Sequence, residues 1–168
     1  MTETTLKSVA IGNSISKIKR TILHQMISLM HQMITYLSFN GNCREAMQFY
    51  QQCLGGELSW QTIGETPVAK KLPVSVQNYI LNASLMKDDW ILMGTDMVAD
   101  EGLIRGNTVS ILLECNSEEE MHRCFDNLVQ GGKCTQDIER TYWGALFGGL
   151  TDRYGNQWLL KFADYETD

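Results

Sequence analysis

The stretch Ile34-Thr35-Tyr36-Leu37-Ser38-Phe39, then a polar break, then Ala46, Met47, Tyr50, Cys53 and Leu54 at helical spacing, decides the fold because the chain contains it twice. Adding 75 to the numbering reaches Val109-Ser110-Ile111-Leu112-Leu113, a second polar break, and then Met121, Phe125, Leu128 and Val129. Both helices run into paired glycines, Gly55-Gly56 and Gly131-Gly132. Further on, Trp90-Ile91-Leu92-Met93 leading to Asp96 parallels Trp158-Leu159-Leu160-Lys161 leading to Asp164. A chain built from two strand-helix-strands copies tends to place its site between them.

Working outward, the order in each copy is β-α-β-β-β, with modules over 34–96 and 108–163 joined by the loop Met97–Asn107. In the first, strands fall near 34–39, 57–64, 78–86 and 90–95, with a helix near 43–54 and a loop holding Pro67 and Pro73. In the second, strands fall near 108–115, 134–141, 143–151 and 156–163. Asn42 with Glu45, and Ser117 with Glu120, have the spacing of capping boxes that open the two helices. Glu118, Glu119 and Glu120 suit the positive end of a helix dipole, which is helix-start chemistry rather than a metal cluster. One module alone would leave a sheet face bare, so the expected fold is α+β, two modules pairing into a cupped, eight-stranded sheet with helices outside. Residues 1–33 stand apart from the repeat. Ile15, Ile18, Ile22, Met26, Leu29 and Met33 place a helix at about 15–33, an appendage that the fold can dispense with.

Composition narrows the function. A net charge of −6 argues against a nucleic-acid partner, because the counterion-release term needs clustered Lys and Arg. The longest apolar runs are far too short to cross a bilayer. Cys43, Cys53, Cys115, Cys124 and Cys134 are odd in number and form no C-x-x-C pair, which suits small buried residues in a reducing, cytoplasmic setting. His24, His31 and His122 offer no clustered ligand set, and His122 reads as a solvated helix position.

Three strings carry a resemblance. Tyr36-Leu37-Ser38-Phe39-Asn40-Gly41-Asn42-Cys43-Arg44-Glu45-Ala46-Met47-Gln48-Phe49-Tyr50 with Leu54-Gly55-Gly56, then Leu92-Met93-Gly94-Thr95-Asp96, then Trp143 through Trp158, resemble the PhnB-like branch of the vicinal oxygen chelate superfamily. That superfamily includes glyoxalase I, bleomycin-resistance proteins and extradiol dioxygenases, and the resemblance covers residues 34–163. Its metal-using members place a His, Gln or Glu on the first strand of each module and a Glu on the last. The repeat puts those four positions at Thr35, Ile91, Ser110 and Leu159, none of them a usual divalent-metal ligand. The resemblance therefore implies the fold without the usual metal, and no cofactor is expected. The branch has also carried a ubiquinone-methyltransferase label, yet no phosphate-cradling glycine loop is present to hold a nucleotide-type methyl donor.

Strand alternation gives a candidate pocket wall. Thr35, Leu37 and Phe39 share one face of the first strand, Ile91 and Met93 one face of the fourth. Ser110, Leu112 and Glu114, with Leu159 and Lys161, repeat the pattern, and Trp143 and Phe147 add aromatic surface. Glu114 and Lys161 would be the ionisable groups nearest that wall, although both fit solvated strand ends better. Two classes of function follow. One is a homodimeric protein that binds a small apolar or aromatic molecule in a cup between modules. The other is a glyoxalase- or dioxygenase-like enzyme with a non-standard or absent metal site.

Overall fold

The computed structural model describes residues 33–98 and 102–164. The helix expected at 15–33 therefore lies outside the described residues. The first module consists of β1 (Thr35–Ser38), α1 (Cys43–Leu54), β2 (Glu57–Thr62), β3 (Ile80–Lys87) and β4 (Trp90–Thr95). The proline-containing segment between β2 and β3 folds into two 3-10 turns and a short helix, α2 (Val74–Gln77). The second module consists of β5 (Ile111–Glu114), α3 (Glu118–Leu128), β6 (Lys133–Arg140), β7 (Leu146–Thr151) and β8 (Gln157–Phe162).

The α+β class and the twofold repeat are present as expected. The eight strands form two four-stranded sheets, ordered β1-β4-β3-β2 and β5-β8-β7-β6, rather than one continuous hydrogen-bonded sheet. In each, the first strand runs parallel to the fourth and the other neighbours are antiparallel. Helix α1 buries Cys43, Ala46, Met47, Tyr50, Cys53 and Leu54, a stripe in three- and four-residue steps. Helix α3 buries Met121, Cys124, Phe125 and Leu128, and both stripes enter one shared core. Each fully buried Met or Leu there contributes about 1.5–3 kcal/mol, so docking outweighs the roughly 1 kcal/mol that a cap supplies.

The two helices start differently. Ser117 Oγ accepts from the Glu120 N–H at 3.1 Å, and the Glu120 carboxylate reaches back to the Asn116 N–H at 2.9 Å. The box is formed, displaced by one residue on its return leg. At α1 the expected box is not formed, since Asn42 makes no side-chain cap bond. Asp96, at the end of β4 and only 5% exposed, takes its place. One carboxylate oxygen accepts from the Gly41 and Cys43 N–H groups and the other from the Ile80 N–H, each at 2.9 Å. A buried charged acceptor outcompetes an amide side chain for those donors. Gly41 supplies the left-handed turn (φ 86°) that presents them. Glu45, released from capping, accepts from the Tyr154 hydroxyl at 2.9 Å.

Strand faces correct one expectation. A Cβ on Gly94 would lie 3.0 Å from Met47 Sδ and 3.1 Å from Cys43 Sγ, so Gly94 faces α1. Leu37 pairs with Gly94 and Thr35 with Leu92, which is 3% exposed, so Thr35, Leu37 and Phe39 face the helix too. Tyr36 and Ser38, beside Met93 and Thr95, take the opposite, open face. In the second module Ile111 and Leu113 pair with the buried Trp158 and Leu160, which leaves Leu112, Glu114, Leu159 and Lys161 on the open face, as expected. The cause is a single residue. The equivalent ladder bonds are Phe39 N–H to Thr95 O and Cys115 N–H to Lys161 O, an offset of 76 between first strands (115 − 39). The helix caps, Asn42 and Ser117, are 75 apart (117 − 42).

Candidate binding cleft between the two modules

A cleft of about 860 Å³ opens between the modules. Its apolar wall comes from Leu54 at the end of α1, Trp90 and Leu92 on β4, Ile111 and Leu113 on β5, and Trp158 and Phe162 on β8. Lys87, Asp88, Asp89, Glu114, Asn116 and Glu120 add polar groups, and Cys115 and Cys124 complete the lining. Size and composition match sites for small organic molecules, which are mostly apolar with a few placed polar groups.

The local sequence explains each placement. Lys87 and Trp90 pair across a two-residue turn, Asp88-Asp89, in which Asp88 takes φ 52°. That turn holds Lys87 against the C-terminal end of α1, where its ammonium donates to the Leu54 carbonyl at 3.1 Å and meets the helix dipole. The same ammonium reaches Glu120 at 3.4 Å, tying the modules together beside the cleft. The Asn116 N–H bond, aided by Lys87, holds the Glu120 carboxyl below the ordinary carboxylate range against the opposing effect of burial. Burial pushes the Cys115 thiol up to about 12 and raises that of Cys124 as well. Both stay protonated near neutrality and act as apolar wall rather than as nucleophiles.

Of the residues expected in the pocket, Thr35, Ile91, Leu112 and Glu114 line this cleft. Leu37 and Phe39 do not, and Phe39 is 1% exposed in the core. Met93, Phe147, Leu159 and Lys161 lie on the open sheet faces, and Ser110 is exposed just before β5. Trp143 sits in the β6–β7 turn, 61% exposed, its ring 4.5 Å from that of Tyr142. Glu114 and Lys161 form a cross-strand ion pair at 2.8 Å, which engages the two ionisable candidates with each other. His122, half-exposed, lies 3.8 Å from Glu118 on the solvated side of α3.

The donor set does not fit the superfamily's metal. Thr35 points toward α1, away from Ile91, Ser110 and Leu159. Replacing it by the open-face neighbours Tyr36 or Ser38 adds only hydroxyls, and the Glu114 carboxylate on the open face of β5 is paired with Lys161. Among the described residues no group of three His, Cys, Asp or Glu is placed to hold a metal ion.

The strings that carry the resemblance build the frame. Asp152, 3% exposed, accepts from the Tyr154 and Asn156 N–H groups on one oxygen, and from Tyr50 Oη–H (2.6 Å) and Trp158 Nε1–H (2.9 Å) on the other. Asn156 Nδ2 donates in turn to the Tyr50 hydroxyl at 2.7 Å. Burial first, and then the Asp152 carboxylate, raise the Tyr50 phenol far above its ordinary value. Asp96 plays the matching part in the first module. The cleft residues Lys87, Asp88, Asp89, Asn116, Cys115, Cys124 and Glu120 were not expected from the sequence. One available signal was turn length: five residues, 152–156, separate β7 from β8, against two, 88–89, between β3 and β4.

Residues 32–160 match the profile of the Glyoxalase/Bleomycin resistance protein/Dioxygenase superfamily. The chain is 30% identical over 136 residues to Protein YjdN of Escherichia coli (strain K12), an alignment covering 75% of this chain and 91% of that protein. Protein PA1353 from Pseudomonas aeruginosa superposes with a TM-score of 0.69 at 35% identity, over 79% of this chain and 98% of that one. A PhnB protein from Bacillus cereus, a proposed 3-demethylubiquinone-9 3-methyltransferase, superposes with a TM-score of 0.64 at 25% identity, over 79% of this chain and all (100%) of its own.

Proposed function

The chain belongs to the Glyoxalase/Bleomycin resistance protein/Dioxygenase superfamily, and from that premise we propose that it binds a small apolar or aromatic molecule between its modules without a metal. The observation that carries this reading is the apolar cleft with a charged rim, set between the modules and backed by thiols that stay neutral. The donor chemistry on the open sheet faces supports the metal-free part. The working unit in this reading is a homodimer. Tyr36, Met86, Leu112 and Trp143 are each about half exposed or more, and such apolar surface favours a self-complementary contact between copies. Four buried, unpaired cysteines fit a reducing cytoplasm.

The test is the fluorescence of N-phenyl-1-naphthylamine, a neutral apolar probe, titrated with the full chain. Saturable binding at one site per chain, equal with EDTA and with added Zn, Ni, Mn or Fe, is the expected result. Stoichiometric metal in the purified protein, or a glyoxalase or dioxygenase activity lost on chelation and restored by metal, would turn the assignment to the enzymatic alternative. Sedimentation at micromolar concentration reads the dimer, and a monomer mass counts against it.

A further inference from the structure

We infer that the cleft takes a phenolic ring, held as the chain holds its own Tyr154 on the other side of the repeat; this rests on the binding function proposed above. Two connections and two helices are related by the repeat, so there are two equivalent slots. In the first, the five-residue connection 152–156 carries Tyr154 inward. Its ring centroid lies 6.1 Å from that of Phe39, 5.7 Å from Phe49 and 6.0 Å from Tyr50, and its hydroxyl donates to Glu45 at 2.9 Å.

The second slot keeps the acceptor and loses two of the three rings, since the helix offset of 75 puts Phe125 where Tyr50 stands. The strand offset of 76 puts Cys115 where Phe39 stands, and the helix offset of 75 puts Cys124 where Phe49 stands and Glu120 where Glu45 stands. The connection there is only Asp88-Asp89, too short to deliver a side chain like Tyr154. Cys115, Cys124, Glu120, Asp88 and Asp89 all line the cleft, so the open volume lies where the first slot is filled with aromatic side chains. Trp90 and Phe162 remain as aromatic walls for an incoming ring.

The polar groups select further. Glu120 already accepts from the Asn116 N–H, the Asn116 side-chain amide and Lys87, with Arg123 at 3.7 Å, and of the roughly four lone-pair sites of a carboxylate one is left for a phenol O–H. Asp88, Asp89, Glu114 and Glu120 against Lys87 make the lining acidic, four carboxylates to one ammonium, so the ring carries no negative charge of its own.

Calorimetric titration of the full chain tests this with p-cresol, toluene and 4-hydroxybenzoate. The expected result is p-cresol binding about tenfold or more tighter than toluene, the difference made by one hydrogen bond to a charged acceptor. 4-Hydroxybenzoate binds more weakly than p-cresol. Cys124→Phe, which restores the ring that Phe49 packs at 5.7 Å against Tyr154, binds p-cresol at least as tightly as wild type with the circular dichroism unchanged, and loss of binding in that folded variant overturns the equivalence of the slots. Should that variant fail to fold, Glu120→Gln serves instead, lowering p-cresol affinity several-fold with toluene unaffected. If N-phenyl-1-naphthylamine binds but p-cresol is no better than toluene, the phenol inference falls and the binding function stands. If no probe binds, both fall.

Discussion

Tyr50 and Asp152 stand 102 positions apart in sequence and meet at 2.6 Å, so their coupling measures how strongly the modules hold each other. Tyr50→Phe removes a hydroxyl that donates to a buried carboxylate and accepts from Asn156. A hydrogen bond to a charged group contributes about 1.5–3 kcal/mol, and the stranded Asn156 amide adds about 1 kcal/mol, for a total near 2–4 kcal/mol. Asp152→Asn keeps the oxygen that serves the Tyr154 and Asn156 N–H groups. It turns an NH2 toward Tyr50 Oη–H and Trp158 Nε1–H, two buried donors at about 1–3 kcal/mol each. Asp152→Asn is therefore the costlier change, by roughly 1 kcal/mol at the middle of those ranges. The double variant is milder than the sum, because Tyr50→Phe removes one of the donors that Asp152→Asn strands. A coupling of about 1–2 kcal/mol is expected from urea midpoints at constant m. Additive losses, or a Tyr50→Phe more damaging than Asp152→Asn, would refute the shared network.

Three further outcomes follow from the geometry. Leu37→Asp, which faces a charge toward α1, costs about 2–4 kcal/mol, whereas Tyr36→Asp on the open face stays within about 1 kcal/mol; thermal melts in the reverse order would restore the 75-residue strand register. In native protein at pH 8 a disulfide reagent modifies one thiol promptly, that of the exposed Cys134, and Cys134→Ser removes the fast phase; prompt reaction of two or more thiols contradicts the burial of the others. The folded carboxyl of Glu120 titrates below its unfolded value, so its stabilising effect is complete above the unfolded range and lost as pH falls through the folded one. Wild type is accordingly the more stable at pH 7, and its advantage over Glu120→Gln in urea shrinks toward pH 3; an advantage that grows on acidification is the wrong sign.

Element order was legible because period-two and helical spacing both recur in each copy. The faces of β1 were not, because the most visible offset belongs to the helices. Gly41 lengthens the first strand-to-helix connection by one residue, and in a strand one residue exchanges the two faces. Asn42 and Glu45 gave a sound local signal that a distant carboxylate overrode. The cleft was harder still. It is made by what Cys115, Cys124 and a short turn fail to fill, and periodicity reports the residues that pack rather than the space they leave.

The two ways of starting a helix bear on how the chain assembles. Helix α3 carries its own cap in Ser117 and Glu120, so its first turn can close as soon as those few residues meet. Helix α1 borrows its cap from Asp96, 53 residues after Cys43, and stays open at one end until β4 has docked. Loop closure over that distance comes late, after local structure has formed. In pulse-labelling hydrogen exchange during refolding, the amides of α3 should gain protection ahead of Gly41 and Cys43, whose protection should arrive together with that of β4.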